Sequence, residues 1–118
     1  MEFDNNTPIY IQLVEELKIS IISGKLKPNE RIASVRELAL QKKVNPNTMQ
    51  KALTELENMK LIYTERTNGK FVTNDIKLIN EFKQKYADDL AFNYVKNMKS
   101  LGYTMNEIIE IIKESEKK

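Results

Sequence analysis

Between Asn45 and Thr54 the sequence reads Asn-Pro-Asn-Thr-Met-Gln-Lys-Ala-Leu-Thr, and its polar members recur at helical spacing. Met49, Ala52, Leu53 and Leu56 fall on one stripe at 100° per residue, which leaves Asn47, Lys51 and Thr54 on the opposite face with Thr48 and Gln50 flanking it. Carboxamides, hydroxyls and an ammonium along one helix face are the groups that hydrogen-bond base edges and phosphates in a major groove. A merely solvated helix face has the same composition, so the neighbouring elements must decide between the two readings.

Those neighbours favour the groove. Asn45 is a good N-cap and Pro46 suits the first helical position. Just upstream, Ser34-Val35-Arg36-Glu37 fits a capping box, so a short helix starts at residue 35 with Val35, Leu38 and Ala39 as its apolar face. Downstream, Leu61–Arg66 and Phe71–Thr73 read as two strands, and Asn68-Gly69 between them predicts a type I′ hairpin with positive φ at both residues. Helix, tight connection, helix and ribbon make a winged helix-turn-helix, with Arg66 and Lys70 flanking the wing tip within reach of phosphates or a narrow minor groove.

Charge placement agrees. The net charge of the 118 residues is only +2, but seven basic residues stand against Glu30 and Glu37 between Lys25 and Lys51, whereas residues 75–118 balance. The composition, 41% apolar and 31% charged, fits a folded chain with many exposed helix faces. With no cysteine and no histidine, disulfides, thiolate chemistry, imidazole catalysis and the usual zinc sites are excluded. The acidic pairs Glu15-Glu16 and Asp88-Asp89 are adjacent in sequence and diverge on a helix, so an enzyme is not expected, nor a metal or other cofactor. The N-terminal Met1–Asn6 is acidic and polar, unlike a signal peptide, and no apolar run is long enough to span a membrane; a cytoplasmic location is expected.

The remaining elements are helices. Thr7 and Pro8 predict an N-cap and first position for a helix carrying Ile9, Leu13, Leu17 and Ile21, ended by Gly24. The loop that follows has Leu26 and Ile32 available for brief strand pairing. After the wing, Ile79, Phe82, Tyr86 and Leu90 form one stripe and Ala91, Val95 and Met98 another, predicting a helix of about six turns before Gly102. Thr104 and Glu107 make a second capping box, and Tyr103 can staple onto Ile108. The fold expected is α+β, mostly α: a winged helix-turn-helix over residues 1–74, then a two-helix C-terminal element over 75–118. This hairpin has more apolar surface than one partner helix covers, so a homodimer is expected through Phe82, Tyr86, Leu90, Val95, Ile108, Ile109, Ile111 and Ile112.

Read together, Pro8-Ile9-Tyr10-Ile11-Gln12-Leu13, Gly24-Lys25-Leu26-Lys27-Pro28, Ser34–Ala39, Val44–Thr48 and Gly69-Lys70-Phe71-Val72 resemble the GntR family of bacterial transcriptional regulators, and the short helical tail is similar to its YtrA subfamily. The resemblance implies a homodimeric repressor on an inverted-repeat double-stranded DNA operator, with the third helix in the major groove and the wing tip in the minor groove. It further implies that Ser34 and Arg36 contact phosphate or base, that Asn45, Asn47 and Thr48 open the recognition helix, and that Gly69 is the wing-tip glycine. Gln50 and Lys51 join them from helix geometry. Asn29, Ala33, Lys60 and Thr67 depart from the family pattern, standing where glycine, proline, glycine and glycine are common. A small-molecule effector stays open as a partner, with room for its pocket between subunits. The competing reading is a winged-helix protein-interaction module without sequence-specific DNA binding.

Overall fold

The computed structural model describes residues 6–117; residues 1–5, with most of the acidic N-terminal segment read above, and residue 118 lie outside them. The elements run α1 (Ile9–Ile22), α2 (Val35–Lys42), α3 (Pro46–Asn58), β1 (Ile62–Glu65), β2 (Gly69–Val72), α4 (Ile76–Ser100) and α5 (Met105–Ser115). They fall into two compact units that divide within α4, after Phe82.

In the first unit α1 packs on α3, and α3 packs on α2 and β1. The core is built from Leu13, Leu17 and Ile21 of α1, Leu38 and Ala39 of α2, Met49, Leu53 and Leu56 of α3, and Leu61, Ile62 and Val72 of the wing, with Thr73 the buried polar residue beside them. The α3 stripe read from the sequence is thus the buried face, which turns its polar residues outward. Helix starts follow local chemistry. Ser34 Oγ accepts from the Glu37 N–H at 3.2 Å while Glu37 Oε1 accepts from the Ser34 N–H, and Asn45 Oδ1 accepts from the Asn47 N–H at 2.7 Å.

The start of α1 differs from expectation. Pro8, extended at ψ 141°, is the N-cap, and its carbonyl accepts from Ile11 and Gln12. Thr7 stands one residue before that cap, and its carbonyl accepts from the Gln12 side chain at 2.8 Å. The helix therefore begins one residue later.

The connection from α2 to α3 is three residues long and turns at Lys43, which is left-handed at φ 57°. Two positions where glycine is common in the resembling family are also left-handed here, Asn29 at φ 66° and Lys60 at φ 68°. The chain keeps the backbone conformation without the glycine.

β1 and β2 pair antiparallel with Glu65 opposite Gly69, so the loop is the three residues 66–68. The expected type I′ turn is corrected: Gly69 has φ +101°, but Asn68 is not among the positive-φ residues. Instead the Asn68 N–H bonds the Glu65 carbonyl at 3.3 Å and the glycine follows as the left-handed residue, the three-residue alternative for a hairpin. The segment before α2 lies along the other edge of β2. Ile32 N–H donates to the Lys70 carbonyl, Val72 N–H to the Glu30 carbonyl and Asn29 N–H to the Val72 carbonyl, with Arg31 bridged to Phe71.

In the second unit, α4 continues to Ser100 and α5 opens on Thr104, whose backbone and side chain bond Glu107 and hold its carboxyl below the ordinary value. Of the residues expected to form the dimer contact, Leu90, Ile109 and Ile112 are exposed, and Phe82, Tyr86, Val95 and Ile111 are half-buried. Ile108 is a correction. It is 0% exposed within the single chain, where it serves the chain's own packing. Phe92, 68% exposed, and Leu101, 72% exposed, add apolar surface that the stripe reading did not include. Among the described residues no helix is long and apolar enough to cross a membrane.

Candidate nucleic-acid interface

Burial of the apolar α3 stripe leaves Asn47, Gln50, Lys51 and Thr54 exposed on one side of the helix, with Thr48 half-buried beside them. Gln50 and Thr54 are linked: the Gln50 amide donates to Thr54 Oγ1 at 3.3 Å, and that hydroxyl donates to the Gln50 carbonyl at 3.0 Å. The pair orders two hydrogen-bonding side chains one turn apart. Asn45 is exposed but spends its carboxamide oxygen on the α3 cap, so its amide N–H groups are what remains for a ligand.

Lys51 has a partner that helix periodicity could not supply. Its Nζ lies 3.9 Å from the centre of the Tyr10 ring on α1, and the two residues line a shallow cleft of about 390 Å³ with Ile9, Asn47 and Thr48. The aromatic face attracts the ammonium and restricts its travel, which holds a cation on the exposed face of α3. Tyr10 is therefore part of the site. Its signal in the sequence is its place in the Pro8–Leu13 motif at the start of the first helix.

On α2, Ser34 and Arg36 are both exposed; the Ser34 hydroxyl is committed to the capping box. Arg36 lines a second shallow cleft, about 410 Å³, with Leu40, Lys43 and Pro46 at the helix-helix turn. Arg36, Lys43, Lys51 and Arg66 are all exposed. Lys42 differs, because its ammonium pairs with Glu16 of α1.

The wing divides the expected residues. Arg66 stands exposed in the tip loop, and Gly69 opens β2 behind it. Lys70 was expected at the tip and is corrected: its ammonium is bonded to Glu57 of α3 and, at 2.9 Å, to Thr64 Oγ1 of the facing strand. Thr64 also donates to Glu57 at 2.8 Å. The alternation of a strand sends Lys70 toward α3, where a carboxylate waits. Burial pushes the Glu57 carboxyl up, but the bonds from Lys70 and Thr64 and the charge of Lys70 outweigh it and hold the group below its ordinary value. This triad fixes the wing to α3. A stacked pair, Tyr63 on Phe71 with ring centres 5.6 Å apart, stiffens the ribbon.

Arg36, Asn47, Thr48, Gln50 and Lys51 therefore lie on two helices joined by one short turn, Ser34 and Asn45 cap their starts, and Arg66 lies on a ribbon tied to the second of them. Such an arrangement can insert a helix into one groove while a guanidinium reaches another. It contains no grouping of side chains that would support covalent or acid–base catalysis.

Comparison with known proteins agrees with this geometry. Residues 9–72 match the family model for bacterial regulatory proteins, gntR family. The chain is 32% identical over 111 residues to the HTH-type transcriptional repressor YtrA of Bacillus subtilis, covering 93% of this chain and 85% of that protein. Among solved structures, a GntR family transcriptional regulator from Listeria monocytogenes is similar at a TM-score of 0.89 and 38% identity, over 95% of this chain and 98% of that one. The DNA-binding domain of AraR in complex with operator ORR3 is similar at a TM-score of 0.55 and 34% identity, over 62% of this chain and 86% of that one.

Proposed function

The chain belongs to the GntR family of bacterial regulatory proteins, and we propose that, as a DNA-binding transcriptional regulator of that family, it acts in the cytoplasm as a homodimeric repressor on an inverted-repeat operator. The observation that carries this is the outward polar face of α3, set behind a capped α2 and a three-residue turn. Asn47, Gln50 and Thr48 supply base-edge donors and acceptors; Ser34, Arg36, Asn45 and Lys51 supply phosphate or base contacts around them. Arg66, in the tip loop ahead of Gly69, enters the minor groove. That AraR's DNA-binding domain, a structural relative, is seen with its operator supports the same mode here.

The exposed apolar side chains of α4, α5 and the turn between them, Leu90, Phe92, Leu101, Ile109 and Ile112 among them, are the surface through which two copies associate. Twofold symmetry then sets the recognition helices in major grooves about one turn apart, ~10–10.5 bp centre to centre.

Selection of bound fragments from a random DNA pool, followed by anisotropy titration at several salt concentrations, tests the proposal. The expected result is an enriched inverted repeat bound ~10³-fold or more tighter than scrambled DNA, and an Arg36→Ala variant weaker by ~1–3 kcal/mol where the contact is a bidentate base pair. Sequence-blind binding that vanishes at moderate salt would overturn it and put a protein-interaction role in its place.

A further inference from the structure

We propose that Arg31 is the positioning residue of the wing: its guanidinium clamps the tip loop and holds Arg66 in a fixed presentation to the DNA. The consequence at DNA rests on the regulator reading above; the clamp itself does not.

Arg31 lies on the segment that runs antiparallel along β2, bridged to Phe71. Opposed residues of an antiparallel pair share a face, and the residue two positions along the partner strand lies on that same face. For Arg31 that residue is Gly69. With no side chain at 69 a lane is open along the ribbon, and the guanidinium occupies it: an ideal Cβ on Gly69 would stand 3.1 Å from Arg31 Nε and 3.3 Å from Nη2. At the end of the lane Arg31 Nε donates to the Asn68 carbonyl at 2.7 Å.

The bond matters because of what else holds the loop. Among the described residues, the other bonds of Asn68 stay within the ribbon, N–H to the Glu65 carbonyl and Nδ2 to Glu65 Oε2 at 3.1 Å. The Glu57–Lys70–Thr64 triad ties the strands to α3 one residue pair short of the loop. Among the described residues, Arg31 is the tie from outside the ribbon that reaches residue 68. A short polar loop without such a tie samples many positions and gives up that freedom on binding, which lowers affinity and blurs the base steps it reads. The planar guanidinium suits the task, since it lies flat over a glycine while aiming one N–H at a carbonyl; a lysine ammonium is a point charge with no such plane. Gly69 is therefore constrained twice, by its φ and by the arginine above it.

Two measurements on wild type, Arg31→Met and Arg31→Lys test this. The first is amide hydrogen exchange of residues 66–69 in the free protein. The second is operator affinity against a set of single base-pair changes, with salt dependence, after thermal unfolding confirms that both variants fold. The clamp is supported when Asn68 exchange rises by about tenfold in Arg31→Met and discrimination falls at base pairs flanking those read by α3, with the inner pairs and the salt slope unchanged and Arg31→Lys unable to restore either. Unchanged exchange overturns it. Full restoration by lysine overturns it too, because charge alone would then suffice. A uniform loss on all sequences with the salt slope reduced by about one unit makes Arg31 a phosphate contact instead. If wild-type protein discriminates no sequence at all, the regulator reading fails, while the exchange result still decides the clamp.

Discussion

The Lys70 ammonium on the wing is bonded to the Glu57 carboxylate near the end of α3, and Thr64 on the facing strand bonds the same carboxylate oxygen at 2.8 Å. The two elements proposed to read DNA are thereby held at one spacing. A cation that the sequence offers to the phosphates is used instead to fix the geometry of the reader.

Glu57→Gln removes the charge from this triad. The expected loss of stability at neutral pH is about 0.5–1 kcal/mol, since the pair is only partly buried. The Glu57 carboxyl sits below its ordinary value of 4.5, so the contribution is present above that pH and is lost as the pH falls through the folded-state value. Chemical denaturation of both proteins across pH should show a gap that is constant near neutrality and narrows below 4.5. A gap independent of pH would mean that the amide loses something other than the charged pair.

Tyr10→Ala frees Lys51 from the ring 3.9 Å from its ammonium. An exposed cation–π contact contributes about 0.5–1 kcal/mol, so operator affinity should fall by about two- to fivefold. Tyr10→Phe keeps the ring and should bind as wild type. Titration of both variants by anisotropy checks this; a loss in Tyr10→Phe as large as in Tyr10→Ala would assign the effect to the hydroxyl.

Gly24→Ala and Gly69→Ala separate backbone strain from crowding. Gly24 has φ +85° with nothing near an added Cβ, so alanine there should cost about 1 kcal/mol of backbone strain. Gly69 has φ +101° and the Arg31 guanidinium above it, so its substitution should cost more, about 2 kcal/mol. Urea unfolding of the two variants gives the comparison. Equal costs would show that Arg31 moves aside freely.

Phe92→Glu with Leu101→Glu puts two charges on exposed apolar positions of the C-terminal unit. Sedimentation equilibrium should show the dimer replaced by a monomer of unchanged helix content, and affinity for a full operator should drop toward that for a half-site. Ile108→Glu, by contrast, buries a charge at a position with 0% exposure and should lower helix content itself. A double variant that remains dimeric would move the interface elsewhere.

The helix starts at Ser34, Asn45 and Thr104 were legible in the sequence because a cap is made by residues two or three apart, which any tertiary context leaves in reach. The buried face of α3 was legible because its period is local as well. The start of α1 and the hairpin turn were legible only approximately. Thr7-Pro8 and Asn68-Gly69 each permit two local conformations, and the Gln12 side chain in one case and strand register in the other selected between them.

The sequence by itself determined the order of elements, the side of α3 that faces outward and the regulator class, because each rests on short-range spacing and residue type. Only the tertiary structure decided which cations remain available. Lys70 meets Glu57 across 13 residues, Lys42 meets Glu16 across 26, and Arg31 meets Asn68 across 37. Charge and exposure look alike for all of them in a linear sequence. Pairing depends on which carboxylate, ring or carbonyl the fold brings within a few ångströms, and that distance has no counterpart in the spacing of residues along the chain.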